Sequence, residues 1–207
     1  MQICQKHINA IKVNGKKPPR LGAGVSLSVK GKILRILLPT IAVLILTGCL
    51  GMPTAVTPVE NFELYRYLGK WYEIARLDHS FERGLERVTA EYSMRDDGGV
   101  SVVNRGYSTE DDEWKVAEGK AYFVDDENKA YFQVSFFGPF YGSYVVFEID
   151  QEGYEYAFVS GPDTSYLWLL SRNPQVKTEI VEKFKLISKE LGFDTSKLIF
   201  VNHDGFQ

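Results

Sequence analysis

The residue types that a hydrolytic triad uses occur side by side at one place, Asp78-His79-Ser80. The members of a triad are brought together by the fold, whereas neighbours in a strand or loop point in different directions. His79 and His203 are the only histidines after residue 48, and a zinc site needs three or four nitrogen or sulfur ligands. The sequence therefore predicts no catalytic centre, no metal site and no cofactor.

The thiol of Cys49 has a clearer chemical context. An apolar run from Ile36 to Leu46 precedes it, and three basic residues lie within 30–35. Such a run is shorter than the roughly 20 residues that cross a bilayer as a helix, and with its basic flank it is typical of an export signal. The ending Leu46-Thr47-Gly48-Cys49 resembles the lipobox of bacterial lipoproteins, which implies a diacylglycerol on Cys49 and cleavage just before it.

This resemblance divides the chain into three parts. Residues 1–48 are expected to be a lipoprotein signal peptide with a basic extension, 49–59 a lipidated tether and 60–207 a folded domain. Gly51–Pro58 has two prolines and no charge, which favours a flexible tether. Because Leu50 rather than Asp follows the cysteine, the sorting rule of enterobacterial lipoproteins implies the outer membrane, on its periplasmic face.

The signal-like segment and the rest of the chain carry net charges of opposite sign, and this argues against some classes of partner. Eight of the 24 Lys and Arg residues lie in 1–48, which has no Asp or Glu, so the remainder has 16 basic against 27 acidic residues. An acidic domain argues against nucleic acid, whose phosphates require clustered Lys and Arg. It also argues against purely electrostatic adhesion to an anionic membrane.

From residue 70 onward, short runs rich in β-branched and aromatic residues alternate with turn clusters such as Asp96-Asp97-Gly98-Gly99. The runs span 70–77, 87–95, 100–107, 113–124, 129–137, 143–149, 154–160 and 165–172. Their spacing is typical of an all-β barrel or sandwich. Eight strands with short connections predict an up-and-down antiparallel barrel, which encloses room for one small ligand.

The last part of the chain predicts a helix on the outside of this barrel. The run 165–172 is apolar on both faces, so its outer face needs a cover. Asn173-Pro174 has the residue types of a helix start, and apolar residues recur at helical spacing as far as Leu191. We expect one helix of about 17 residues and then a short ninth strand at 197–202.

Three short motifs lie on these elements in order. They are Gly69-Lys70-Trp71 in the first strand, Gly161-Pro162-Asp163 before the eighth, and Arg172 at the end of the eighth. Together they resemble the signature motifs of the lipocalin family, and Ser135–Phe140 is similar to its bacterial branch. The resemblance covers roughly 60–203 and implies an all-β, eight-stranded antiparallel up-and-down lipocalin barrel with one C-terminal α-helix packed outside and a short ninth strand. It also implies that Gly69, Trp71 and Arg172 hold the fold, with Arg172 across the Trp71 ring.

The resemblance further implies a small apolar ligand, a fatty acid or a lysophospholipid, stored or transported in envelope maintenance or stress. Side-chain alternation selects the wall of the binding cup. The selected residues are Tyr92, Asn104, Val134, Phe136, Tyr144 and Trp168. Aromatic rings supply apolar contact, and Asn104 and Tyr144 supply polar groups that orient a head group.

Two other functions stay open. One is a structural or interaction lipoprotein whose barrel is filled by its own side chains, which the cavity volume would reveal. The other is an enzyme acting on lipids, which would need a carboxyl such as Glu73 or Glu118 facing the cup with a raised pKa. The uncharged, aromatic stretch Ser135–Tyr144 also suits a membrane or a second copy of the chain, so a homodimer stays open.

Overall fold

The computed structural model describes residues 50–205, so Cys49 and the lipobox-like segment lie outside the described residues. Eight strands form the barrel: β1 Gly69–Arg76, β2 Leu85–Met94, β3 Val100–Ser108, β4 Glu113–Phe123, β5 Tyr131–Phe137, β6 Phe140–Ile149, β7 Tyr156–Ser160 and β8 Leu167–Ser171. Each strand pairs antiparallel with the next, and β1 also pairs with β8, which closes the sheet. The predicted eight-stranded antiparallel barrel is confirmed.

The helix and the ninth strand exist but are shorter than predicted. A short helix, α1 (Leu64–Tyr67), precedes β1, and α2 (Thr178–Glu190) follows β8. The start predicted at Asn173-Pro174 is wrong, because the Asn173 side chain donates a hydrogen bond to Glu155 at 3.3 Å instead of capping a helix. After a 3₁₀ turn at Thr195–Lys197, β9 comprises only Ile199–Phe200 and pairs with the end of β1.

The apolar residues form two clusters on opposite sides of the sheet. Trp71, Tyr92 and Phe132 belong to the interior cluster, whereas Phe158 and Phe184 belong to a cluster between the barrel and α2. As predicted, β8 contributes to both, since Leu170 and Trp168 face the interior and its alternate residues face the helix. The covering helix therefore solves the problem posed by a strand that is apolar on both faces.

The chain closes one end of the barrel around Trp71. Its ring is fully buried, and its Nε1 donates to the carbonyl of Tyr67 at 2.8 Å. The Arg172 guanidinium lies 3.9 Å from the ring centroid, and its Nη1 and Nη2 donate to the carbonyls of Lys70 and Arg66. Gly69 has a φ of +89°, a backbone conformation that a side chain would strain, and this explains glycine at the start of β1.

Arg172→Ala is expected to lower the free energy of unfolding by about 2–3 kcal/mol, because it removes a cation–π contact and charge-assisted hydrogen bonds. Urea denaturation followed by far-UV circular dichroism measures the change. Arg105, which is exposed on the outer face of β3, provides the control variant Arg105→Ala. Equal stability of the two variants would contradict the role of Arg172 at the closed end.

The segment expected to be a flexible tether packs against the barrel. Pro53 and Val56 are buried, and Val56 belongs to the cluster under α2. Val59 donates to the carbonyl of Val146 at 2.9 Å and accepts from the amide of Ala130 at 3.0 Å. We call residues 50–60 the N-terminal strap. Proline and small residues permit a flexible tether, but here they complete an apolar cluster instead.

Candidate functional site

The closed half of the barrel interior is almost filled. A cavity of only about 20 Å³ remains there. Its lining residues are Leu64, Tyr67, Tyr92, Val100, Ala121, Phe132, Val134 and Tyr144. Such a space holds about one water molecule, so a ligand tail does not fit in this half unless side chains move.

Three tyrosines form a polar line across this apolar region. The Tyr144 hydroxyl lies 2.6 Å from that of Tyr67 and 2.9 Å from that of Tyr92. Burial raises the pKa of all three phenols, so they stay neutral and share hydrogen bonds. The three hydroxyls thus join α1, β2 and β6 across the barrel interior.

The open half of the barrel has an accessible inner face, which we call the upper cup. Asn104 on β3 pairs with Ala117 on β4, and parity with Val100 and Val102 places both on the inner face. Ala117 is nevertheless exposed, so solvent reaches the inside of the barrel here. The Asn104 Oδ1 is buried and has no hydrogen-bond partner among residues 50–205, so its acceptor capacity is unused there.

Small residues on β4 create this space. Gly119 lies two residues from Ala117 on the same face, and a Cβ there would lie 2.8 Å from the Phe136 ring. Glycine thus lets Phe136 lie directly against the backbone of β4. The opposite, outer face of β4 carries larger side chains such as Val116, whose exposed fraction is 51%.

A buried charged cluster lies on the β1–β8 side, where Arg76 is 2% and Glu73 3% exposed. Arg76 Nη1 donates to Glu73 Oε1 at 2.6 Å. Its Nη2 donates to the carbonyl of Glu82 in the β1–β2 loop and to that of Leu85 at the start of β2. Trp168 Nε1 donates to Glu82 Oε2 at 3.0 Å. Arg76 and Trp168 therefore hold the β1–β2 loop over one side of the barrel.

If Glu73 and Glu82 were both ionised, the cluster would carry two negative charges against the single positive charge of Arg76. Burial raises the pKa of Glu73 well above its ordinary range, and the neighbouring Glu82 raises it further while Arg76 opposes. Burial raises the pKa of Glu82 as well. One guanidinium stabilises one carboxylate, so the favoured state keeps a proton on the pair.

His79 lies beside this cluster within stacked aromatic rings. Its ring is 4.3 Å from that of Phe81 and 4.9 Å from that of Trp168, measured between centroids. Burial and the charge of Arg76 lower the pKa of His79 to about 3. The imidazole is neutral at physiological pH and, with Ser80 next to it in sequence rather than across from it, forms no triad.

A separate groove of about 360 Å³ lies on the outer face of β1–β4. It is lined by Lys70, Thr89, Glu91, Val103, Arg105, Trp114 and Val116. Its charged rim keeps it hydrated, so it does not suit the tail of an apolar ligand.

The residues selected from the sequence fall into three places. Tyr92, Tyr144 and Val134 line the small closed cavity, Asn104 and Phe136 lie in the upper cup, and Trp168 belongs to the charged cluster. Sequence reasoning missed Tyr67, Ala117 and Glu82. Between residues 50 and 205, no set of side chains could hold a metal ion, and no helix is long and apolar enough to cross a membrane.

A closed eight-stranded barrel with one covering helix and an open cup is the architecture of a lipocalin, and the chain belongs to the lipocalin family. The lipocalin-like domain matches residues 62–203. Among solved structures, insecticyanin from Manduca sexta superposes with a TM-score of 0.59 at 24% identity, covering 72% of this chain and 85% of that one. This likeness supports the fold.

Closer relatives are bacterial. The chain is 69% identical over 157 residues to the outer membrane lipoprotein Blc of Vibrio cholerae, covering 76% of this chain and 92% of that protein. It is 53% identical to the protein of the same name from Escherichia coli K12, covering 74% and 86%. Apolipoprotein D of Mus musculus is 30% identical, covering 67% and 76%. The bacterial relatives place the chain at the outer membrane as a lipoprotein, as the lipobox-like segment predicts.

Proposed function

We propose that this protein is a carrier that binds one fatty acid or lysophospholipid in the upper cup, for lipid storage or transport in envelope maintenance or stress. The observation that carries the proposal is the exposed inner face of β4, where Ala117 faces the cup opposite Asn104. An apolar tail would contact this face and Phe136. Asn104 Oδ1 would accept a hydrogen bond from a glycerol hydroxyl or a protonated carboxyl.

The anchor and the assembly are further parts of the proposal. An acyl group on Cys49 would hold the protein to the periplasmic face of the outer membrane, and the lipobox-like sequence supports this. The intact mass of protein extracted from membranes tests the acylation. The homodimer stays a prediction, which sedimentation velocity in detergent tests.

Ala117→Trp is expected to weaken binding of a fluorescent fatty acid by about tenfold or more, which corresponds to at least about 1.4 kcal/mol, because the indole would occupy the cup. Val116→Trp is the matched control, since it adds the same side chain to the outer face of the same strand. Both residues are exposed, so both variants should fold. Equal binding by the two variants would place the ligand elsewhere.

The cavity of about 20 Å³ in the closed half favours the second candidate, a barrel filled by its own side chains. Native mass spectrometry of the purified protein separates the two functions. A bound lipid that Ala117→Trp removes supports the carrier. Protein that has no lipid and binds no fatty-acid probe would support an interaction lipoprotein instead.

An enzyme acting on lipids would need a buried carboxyl with a raised pKa, and Glu73 meets this condition. Glu118 does not, because it is exposed on the outer face of β4. Arg76 donates a hydrogen bond to Glu73 and another to the β1–β2 loop, so the Glu73 carboxyl has a structural role. We therefore propose no catalysis. Lysophospholipid hydrolysis that disappears in Glu73→Gln would contradict this assignment.

A further inference from the structure

The N-terminal strap fixes where the chain leaves the barrel. The amide of Gly51 donates to Ser143 Oγ on β6 at 2.8 Å, and Val59 binds Val146 farther along the same strand. The strap therefore runs toward the closed end as the sequence proceeds. Its first residues lie on the side nearer the open end.

The distance from this point to the open end is short. Ser143 is three residues from Phe140, where β6 begins, and six from Ile149, where it ends. At a strand rise of about 3.4 Å per residue, these separations are about 10 and 20 Å. Two residues of chain from Gly51 to Cys49 reach at most about 7 Å. An acyl group on Cys49 would thus begin beside the outer face of β6, without a long tether.

The β5–β6 hairpin ends next to this point and is apolar. Phe137 and Phe140 pair across the turn, and their exposed fractions are 60% and 49%. Only Gly138 and Pro139 lie between them, and no charged residue occurs from Ser135 to Tyr144. The neighbouring β3–β4 turn at the same end contains Glu110, Asp111 and Asp112. Removing these carboxylates from water costs free energy, so that side of the open end stays in water.

We propose that the β5–β6 hairpin tip, Phe137 to Phe140, inserts into the lipid leaflet that anchors Cys49, so that the open end of the barrel leans toward the bilayer. The inference rests on the proposed acylation of Cys49 and adds an orientation to it. The diacylglycerol expected on Cys49 supplies stable attachment by itself. Two exposed phenylalanines close to the anchor add a second apolar contact, which sets the orientation of the barrel at the interface. A lipid could then pass between leaflet and cup along the β5–β6 side without crossing open water.

A fluorescent label at the hairpin tip tests this orientation in the full lipidated protein. Cys4 and Cys49 are the only cysteines, so Gly138→Cys would provide a single labelling site in the acylated mature chain. A Cβ at Gly138 meets no atom within 4 Å, so the variant fits the hairpin. The protein is placed in vesicles of phosphatidylethanolamine and phosphatidylglycerol that contain a nitroxide-labelled phospholipid. Quenching at position 138 should be at least about threefold stronger than at Gln151→Cys in the β6–β7 turn at the closed end.

Two comparisons complete the test. Adding Phe137→Ser and Phe140→Ser to the labelled protein should reduce the quenching to that of the closed end, with an unchanged circular dichroism spectrum. Equal quenching at both ends of acylated protein overturns the orientation alone, whereas absence of an acyl group from Cys49 overturns the anchor as well. A label at position 138 that lipid does not quench, together with disulfide-linked dimers of the unlabelled Gly138→Cys protein, overturns insertion in favour of a second copy.

Discussion

Arg76→Met is expected to lower the free energy of unfolding by about 3–5 kcal/mol, because it leaves the carboxyls of Glu73 and Glu82 buried without their cation. Methionine keeps an unbranched apolar stem in place of the aliphatic part of arginine, so loss of charge and hydrogen bonds dominates the effect. Arg76 also donates to the carbonyls of Glu82 and Leu85, and loss of these hydrogen bonds leaves two acceptors unsatisfied. Urea denaturation at neutral pH measures the change.

Arg83→Ala provides the control on the same loop. Arg83 pairs with Asp78 at 2.6 Å, but both side chains are largely exposed, and such surface pairs contribute little. We expect almost no change in stability. If Arg76→Met and Arg83→Ala unfolded at the same urea concentration, the buried cluster would not be a source of stability.

His79→Gln is expected to reduce the loss of stability in acid. The pKa of His79 is lowered to about 3 in the folded protein, while an unfolded histidine titrates near its ordinary value. As the pH falls below that value, the unfolded state binds a proton that the folded state does not, so stability decreases. Between about pH 6.5 and 5 this costs roughly 1.6 kcal/mol. The difference between wild type and variant, measured by urea denaturation at both pH values, should have this size.

Glu73→Gln should act in the opposite direction. The raised pKa of Glu73 means that the folded state retains a proton that the unfolded state releases, so this carboxyl stabilises the protein at low pH. That contribution is lost as the pH rises through the folded-state pKa. The variant should therefore lose stability more steeply in acid than wild type. Parallel pH profiles for His79→Gln, Glu73→Gln and wild type would exclude both assignments.

The sequence predicted the barrel well because strands, turns and motifs are local patterns. It could not predict the charged cluster, because Glu73 and Arg76 are three residues apart and strict alternation places them on opposite faces of a strand. A register shift between Glu73 and Ala75 turns both toward the interior. Single-residue bulges of this kind depend on pairing with β8, which a periodic pattern does not reveal.

For the candidate site, the sequence predicted which side chains face inward but not the shape of the space around them. Parity correctly placed Asn104 and Tyr144 on the inner face, but it does not tell how deep a residue lies or how much space surrounds it. A small residue such as Ala117 contributes little contact area and gives no sequence signal for a binding site, although its small size opens the cup. The N-terminal strap was missed because its packing depends on a helix near the other end of the chain, and local composition contains no signal for such a contact.

The separation of the apolar residues into an interior cluster and a helix-side cluster has a consequence for how such proteins diversify. The cluster beneath α2 stabilises the fold whatever occupies the barrel, because the sheet lies between the two. Substitutions that line the cup can then alter which molecule is held while the fold persists. One scaffold can in this way acquire new cargo by small steps, each of which leaves a stable protein.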